Sequence, residues 1–145
     1  MADDPQGLGR FVEAQQDDYE VALAEIEAGA KRTHWIWYVF PQIEGLGSSP
    51  RARRYALAGL DEAAAYLAHP VLGPRLVRIA EAALVHRGAA PERLMGSGID
   101  AAKLRSSATL FARVPGAPDV FERLLAAFYE GRPCGRTLAR LEGAT

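Results

Sequence analysis

Apolar residues recur at helical spacing along nearly the whole chain, and the polar breaks between them are short. Leu8 to Gln15 predicts a short first helix. Asp17 or Asp18 is placed to cap a second, with Tyr19, Leu23 and Ile26 on one face and Gly29 as its stop. Thr33 is expected to cap a third segment, His34 to Phe40, ending before Pro41. This segment is apolar nearly all round, so it suits a buried helix or a buried strand; the lack of a partner strand favours helix. Ser48-Ser49-Pro50 is a helix start, with a serine cap and proline at the first helical position. That helix carries Tyr55, Leu57 and Leu60. Asp61 restarts the chain into Glu62 to Ala68. His69-Pro70 opens a long helix through Leu72, Leu76, Ile79, Ala83 and Leu84, stopped by Gly88. Pro91 to Met95 is a short helical turn. Asp100 is expected to cap Ala101 to Ala112, and Val114 to Pro118 is a clear break. Asp119 starts a helix with Phe121, Leu124, Leu125 and Phe128 inward and Gly131 as the stop; Thr137 to Leu141 is the last. The sum is an all-α, compact single domain of eight or nine short helices, not a simple four-helix bundle. Residues 1–7 are expected to be a loose N-terminal tail.

Composition agrees with that picture. The 145 residues are 49% hydrophobic and 24% charged, enough to bury a core and unlike a disordered chain. A formal net charge of −1 gives no basic excess for neutralising many phosphates, so no nucleic-acid partner is expected. The longest apolar run, Trp35 to Phe40, is far below the roughly 20 residues of a membrane span, so no membrane partner is expected either. The acidic N-terminus lacks a signal-peptide pattern, and the single cysteine, Cys134, has no intramolecular partner; a reducing cytoplasm is the default reading. Of 17 basic residues only Lys31 and Lys103 are lysines. With the many alanines this reads as a GC-rich coding bias, against which a surviving lysine marks a place for a small ammonium, unless two lysines persisted on the surface by chance.

Three stretches could carry chemistry. Lys31 to Gln42 holds both tryptophans beside a histidine and a lysine. On a helix His34 shares a face with Trp37 and with Tyr38, an arrangement that could stack and hydrogen-bond a nucleotide-like ligand. The plainer reading makes the aromatics core and His34 a satisfied imidazole. Gly45-Leu46-Gly47-Ser48-Ser49 before a helix could hold an anion on free N–H groups, or be an ordinary capped turn; it matches no nucleotide-binding fingerprint. In Asp100 to Phe111, Lys103 lies one helical turn from Ser106 and Ser107, with Thr109 just beyond. A lysine of depressed pKa can activate a serine, but the order is Lys-x-x-Ser rather than Ser-x-x-Lys. The hydroxyls could instead bond back to i−4 carbonyls or serve a tight helix contact. His69 reads as a helix cap, His86 as a helix-end cation and Cys134 as a spare loop thiol. No metal-binding spacing is present, and no metal or cofactor is expected.

Taken together, His34-Trp35-x-Trp37-x-x-Phe40-Pro41-Gln42, Gly45-Leu46-Gly47-x-Ser49, Tyr55-Ala56-Leu57, Tyr66-Leu67-x-His69-Pro70-x-Leu72-Gly73 and Lys103-Leu104-x-Ser106-Ser107-x-Thr109-Leu110-Phe111 resemble the bacterial family known as domain of unknown function 1810. The resemblance runs from about Leu8 to Leu141. It implies an all-α, single-domain cytoplasmic protein and no established activity. The label "calpastatin", often attached to this family, does not fit: a calpain-inhibitor chain would be disordered and repetitive, whereas this one has a periodic apolar core and no repeat.

Two functional readings follow. In the first, a pocket takes a small anionic, nucleotide- or sugar-phosphate-like ligand, with hydrolase or transferase chemistry from His34, Lys103 and Ser107. Lys31, Trp37, Gln42, Ser49, Tyr55, Ser106 and Thr109 are its expected ligand contacts. In the second, the same residues form a buried polar network in a non-catalytic interaction module. The first requires the tryptophan segment and the serine-bearing helix to line one open cavity.

Overall fold

The computed structural model describes residues 7–143, so all of the expected tail except Gly7 lies outside the described residues. Among the described residues there are nine helices and no strand: α1 Gly9–Glu27, α2 Ile36–Val39, α3 Pro50–Arg54, α4 Leu60–Ala68, α5 Leu72–Leu84, α6 Pro91–Met95, α7 Gly98–Ala112, α8 Val120–Tyr129 and α9 Gly135–Gly143. The first two expected helices are one. No glycine or proline interrupts Gly9 to Glu27, and Phe11, Gln15, Tyr19, Ala22, Leu23 and Ile26 form one buried stripe through the supposed break. Asp17 and Asp18 therefore cap nothing; the Asp18 carboxylate instead accepts the Tyr38 hydroxyl. The helix after the glycine-rich turn is also shorter than its pattern suggests. It ends at Arg54, leaving Leu57 to a bridge with Ile43 and Leu60 to α4.

α7 organises the rest. It packs against α2, α4, α6, α8 and α9. Its cap is Ser97 rather than Asp100: Ser97 Oγ accepts the Asp100 N–H at 3.1 Å, and the helix starts at Gly98. From Ser106 to Phe111 every residue is buried, so this half of α7 has no solvent face. Neighbours on all sides favour small side chains, and their hydroxyls need partners inside the helix. Ser106 Oγ bonds to the Ala102 carbonyl at 3.0 Å and Thr109 Oγ1 to that of Arg105 at 2.8 Å. Phe111 stacks between Tyr66 and Phe121, each ring centre 5.5 Å away. Where α4 turns into α5, Gly73 lies so close to the end of α4 that a Cβ would sit 2.0 Å from the Leu67 carbonyl oxygen.

A polar seam binds the N-terminal helices. Gln15 Nε2 donates to the Tyr38 carbonyl at 2.6 Å and lies 2.9 Å from the Tyr66 hydroxyl, which donates to the same carbonyl at 3.2 Å. Burial raises the Tyr66 pKa well above its usual value, keeping the phenol neutral as a donor.

The segment before α2 is latched at two points. Glu25 Oε1 accepts the Arg32 N–H at 2.7 Å, the Thr33 N–H at 3.0 Å and the Trp35 indole N–H at 3.0 Å; Oε2 takes the Thr33 hydroxyl at 2.6 Å. Thr33, expected as the cap of α2, is instead held by α1. On the other side the Lys31 N–H donates to the Leu94 carbonyl at 2.8 Å, and its ammonium reaches Asp100 Oδ2 at 2.7 Å. This double latch buries Trp35 and fixes where α2 begins.

Burial alone would raise the Glu25 pKa, but the four donors outweigh it and bring it from 4.5 to about 2. A depressed carboxyl pKa stabilises the fold fully above the unfolded value and loses that contribution as pH falls through the folded one. Unfolding melts of the wild type and Glu25→Gln should therefore differ most above pH 4.5 and converge as the pH approaches about 2. Because Glu25 is partly exposed, the expected cost at neutral pH is modest, about 2 kcal/mol. A pH-independent gap between the two proteins would refute the latch. For Gly73→Ala the expected loss is about 2–3 kcal/mol in the unfolding free energy from denaturant titration, since the Leu67 carbonyl is backbone and has to move.

Candidate functional site

Between α7, α2, the loop carrying α3 and the start of α9 lies an open cleft of about 520 Å³. That size suits a small molecule. The loop is shaped by the bridge of Ile43 with Leu57: the Glu44 N–H meets the Leu57 carbonyl at 2.8 Å, and the Leu57 N–H meets the Gln42 carbonyl at 2.9 Å. Within it Ser49 Oγ accepts the Ala52 N–H at 3.1 Å, with Pro50 at the first helical position. The Gly45–Ser49 stretch is thus a capped turn before a single short helix. α9 ties the loop down from the far side. Arg136 Nη2 donates to the Leu46 carbonyl at 3.2 Å and Arg140 Nε to that of Glu44 at 3.0 Å. Gly45 has φ +94°, and a Cβ there would fall 2.5 Å from Arg140 Cζ, so both conformation and space call for glycine.

The charge lining the cleft has one sign. Lys103, Arg105 and Arg136 line it, and among the described residues no carboxylate does. Asp100 Oδ1 lies 3.9 Å from the Lys103 ammonium, but its other oxygen is already bound to Lys31. The Lys103 ammonium stands 5.0 Å from the centre of the Trp37 ring, and the Arg51 guanidinium stands 5.1 Å from it. Buried Trp37 Nε1 has no hydrogen-bond partner. Tyr55 supplies a second aromatic wall, braced by Phe11 at 5.7 Å and Tyr38 at 5.1 Å between ring centres.

Cys134 lies at the inner end of α9, half-buried in the cleft wall. Arg105 positions its loop, donating from Nε to the Arg132 carbonyl at 2.9 Å and from Nη2 to that of Pro133 at 3.1 Å. The Cys134 N–H donates to Thr109 Oγ1 at 2.8 Å, and its carbonyl accepts the Leu138 N–H at 3.1 Å. Ser106 Oγ lies 3.3 Å from the sulfur, so its one proton serves both Ala102 and Cys134. Burial by itself would raise the thiol pKa. Hydrogen bonding at the sulfur, led by the Ser106 hydroxyl, overcomes that and brings it below the usual value.

Of the residues singled out in the sequence, Trp37, Gln42, Ser49, Tyr55, Lys103 and Ser106 come together around this cleft. The others lie elsewhere. Lys31 is buried between Asp100, the Thr33 carbonyl at 2.6 Å and the Trp35 ring, because a charge that deep needs partners on every side. His34 is exposed and outside the lining. Ser107 points into the core, its hydroxyl without a partner, and Thr109 is used within α7 and by the Cys134 amide. Lys103 and Ser107 therefore do not share the cavity, despite their spacing. His69 is the cap it was expected to be, Nδ1 accepting the Val71 and Leu72 amides at 3.1 and 3.2 Å. Arg105 and Arg136 were not among the residues singled out in the sequence, and Cys134, read there as a spare loop thiol, also borders the cleft. No local signal marks them, because they reach the cleft only through the packing of α9 on α7.

Among the described residues no group of His, Cys, Asp and Glu is arranged to hold a metal ion, and no helix is long and apolar enough to cross a membrane. No curated protein matches the chain. A solved structure is highly similar: the conserved hypothetical protein Rv1873 from Mycobacterium tuberculosis is 47% identical over 96% of this chain and 99% of that one, with a TM-score of 0.92. The family model described as "Protein of unknown function (DUF1810)" matches residues 5–141. With that match spanning nearly the whole sequence, the chain belongs to the DUF1810 family.

Proposed function

We propose that the cleft binds a small anionic ligand with a planar portion, nucleotide- or sugar-phosphate-like. The observation that carries this reading is the sign of the lining: among the described residues, three cations and no carboxylate around about 520 Å³ of open space. In water such a patch would be weakly attractive; with apolar walls around it, field lines concentrate and an anion is drawn in. A phosphate or carboxylate would meet Lys103 and Arg136, with Arg105 behind them. A planar group would lie against Trp37 or Tyr55, and Gln42 and Ser49 would supply directional hydrogen bonds. The chemistry expected of His34 and Ser107 has no place in this reading, since neither lines the cleft. A cytoplasmic location fits the single cysteine.

Thermal-shift titration tests the proposal. Nucleoside phosphates, ADP-ribose and sugar phosphates should raise the melting temperature, and their uncharged parent compounds should do so much less. Ligand at 100 times its dissociation constant adds about 2.7 kcal/mol. Lys103→Ala combined with Arg136→Ala should weaken binding by roughly tenfold or more per lost charge-assisted contact, about 1.5–3 kcal/mol each. A library without any anionic hit, or a hit untouched by the double substitution, would overturn the assignment.

A further inference from the structure

One cation of the cleft is governed by charges outside it. We propose that the buried ion pair of Lys31 with Asp100 sets the affinity of the cleft for anions. Lys31 holds the Asp100 carboxylate off Lys103 and so leaves the Lys103 ammonium positive and available to a phosphate. This rests on the anion-binding reading and assigns that site two positioning residues. Neither of them lines the cleft.

The three groups form a row that runs from the core to the cleft. Lys31 is the fixed end. Its side chain is 4% exposed, and its ammonium is enclosed by Asp100 Oδ2 at 2.7 Å, the Thr33 carbonyl oxygen at 2.6 Å and the Trp35 ring, centred 5.0 Å away. An ammonium at that depth keeps its carboxylate, because no water is at hand to replace it. Asp100 is thereby committed through Oδ2. Its other oxygen lies 3.9 Å from the Lys103 ammonium, beyond hydrogen-bond range. Lys103 is the open end of the row, bordering the cleft. Arg105 and Arg136 donate to backbone carbonyls, whereas the contact of Lys103 with Asp100 is one of charge. Asp100 and Lys103 stand three residues apart on α7, a spacing at which the two side chains pair directly on a helix surface. With Lys31 removed, the carboxylate would turn to Lys103, and the pair would offer a ligand no net charge. An anion seated at Lys103 is also repelled by the carboxylate behind it, and Lys31 offsets that repulsion. Burial of the inner pair keeps water from screening it, so its charges act across the helix turn.

Calorimetric titration of AMP and of inorganic pyrophosphate into the full chain, at about 20 mM salt where screening is weak, tests this. Asp100→Asn keeps the shape of the side chain and removes its charge. It should bind both probes about three- to tenfold more tightly than the wild type, although the variant is less stable. Lys31→Met should bind both about three- to tenfold more weakly. The double variant has lost one charge of each sign and should return to within about twofold of the wild type. All these differences should shrink at about 300 mM salt. A pair with a purely structural role would give losses or no change throughout and never a gain. Should Lys31→Met fail to fold around its unpaired carboxylate, the sign of the Asp100→Asn effect decides alone. Equal affinities in wild type and Asp100→Asn, or a loss in that variant, overturn the proposal and leave the binding reading standing. If neither probe binds wild type or variant, the proposal falls as well, and the wider set of anions in the thermal-shift assay decides the binding reading separately.

Discussion

The fold depends on burying one helix from all sides. From Ser107 to Phe111 nothing on α7 faces water, so side chains there must be small enough for neighbouring helices to approach and must satisfy their own polar atoms. Serine and threonine meet both demands by bonding back one turn. Larger apolar residues at Ser106 or Thr109 would push α9 away, because Thr109 Oγ1 also holds the Cys134 amide. The residues that let α7 sit at the centre are therefore the ones that fix the last helix, and through it one side of the cleft.

The cleft is open for a related reason. Its lid-like loop is held by its ends, at the bridge of Ile43 with Leu57, and by two arginines of α9 that bond to backbone carbonyls. None of these contacts fills the space beneath. The arginines act through Nε and Nη2, which commits part of each guanidinium to structure while the positive charge remains. Arg105 does the same for the loop of Cys134. Arg105 and Arg136, two of the cations that line the cleft, are thus anchored in advance.

Much of the fold was legible in the sequence, and the failures have a common cause. Pro50, Pro91, Ser49 and His69 announce helix starts through local chemistry, and the structure uses each of them that way. Asp18, Thr33 and Asp100 offered the same signal and were drawn off by distant partners: Tyr38 for Asp18, Glu25 for Thr33, Lys31 for Asp100. A capping side chain goes where its best partner is, and sequence spacing reveals only the local candidates. The site divides along the same line. Trp37 and Lys103 could be picked out as unusual residues, whereas Arg105 and Arg136 are two among many arginines and reach the cleft through the contact of α7 with α9.

The two lysines that stand against the arginine bias find a physical reason at Asp100. Both lysines of the chain meet this one carboxylate, Lys31 at 2.7 Å and Lys103 at 3.9 Å, and each ammonium stands 5.0 Å from a tryptophan ring centre, Lys31 at Trp35 and Lys103 at Trp37. Lys31 is almost wholly buried, where a compact ammonium fits between a carboxylate, a carbonyl and an indole more easily than a planar guanidinium. Its tight pairing takes up most of the Asp100 charge. Two ammoniums against one carboxylate leave one positive charge over, and the longer distance puts that excess at Lys103, on the cleft side. The latch that buries Trp35 therefore also sets the electrostatics of the ring next along the helix, leaving Trp37 beside a cation that its nearest carboxylate only partly neutralises.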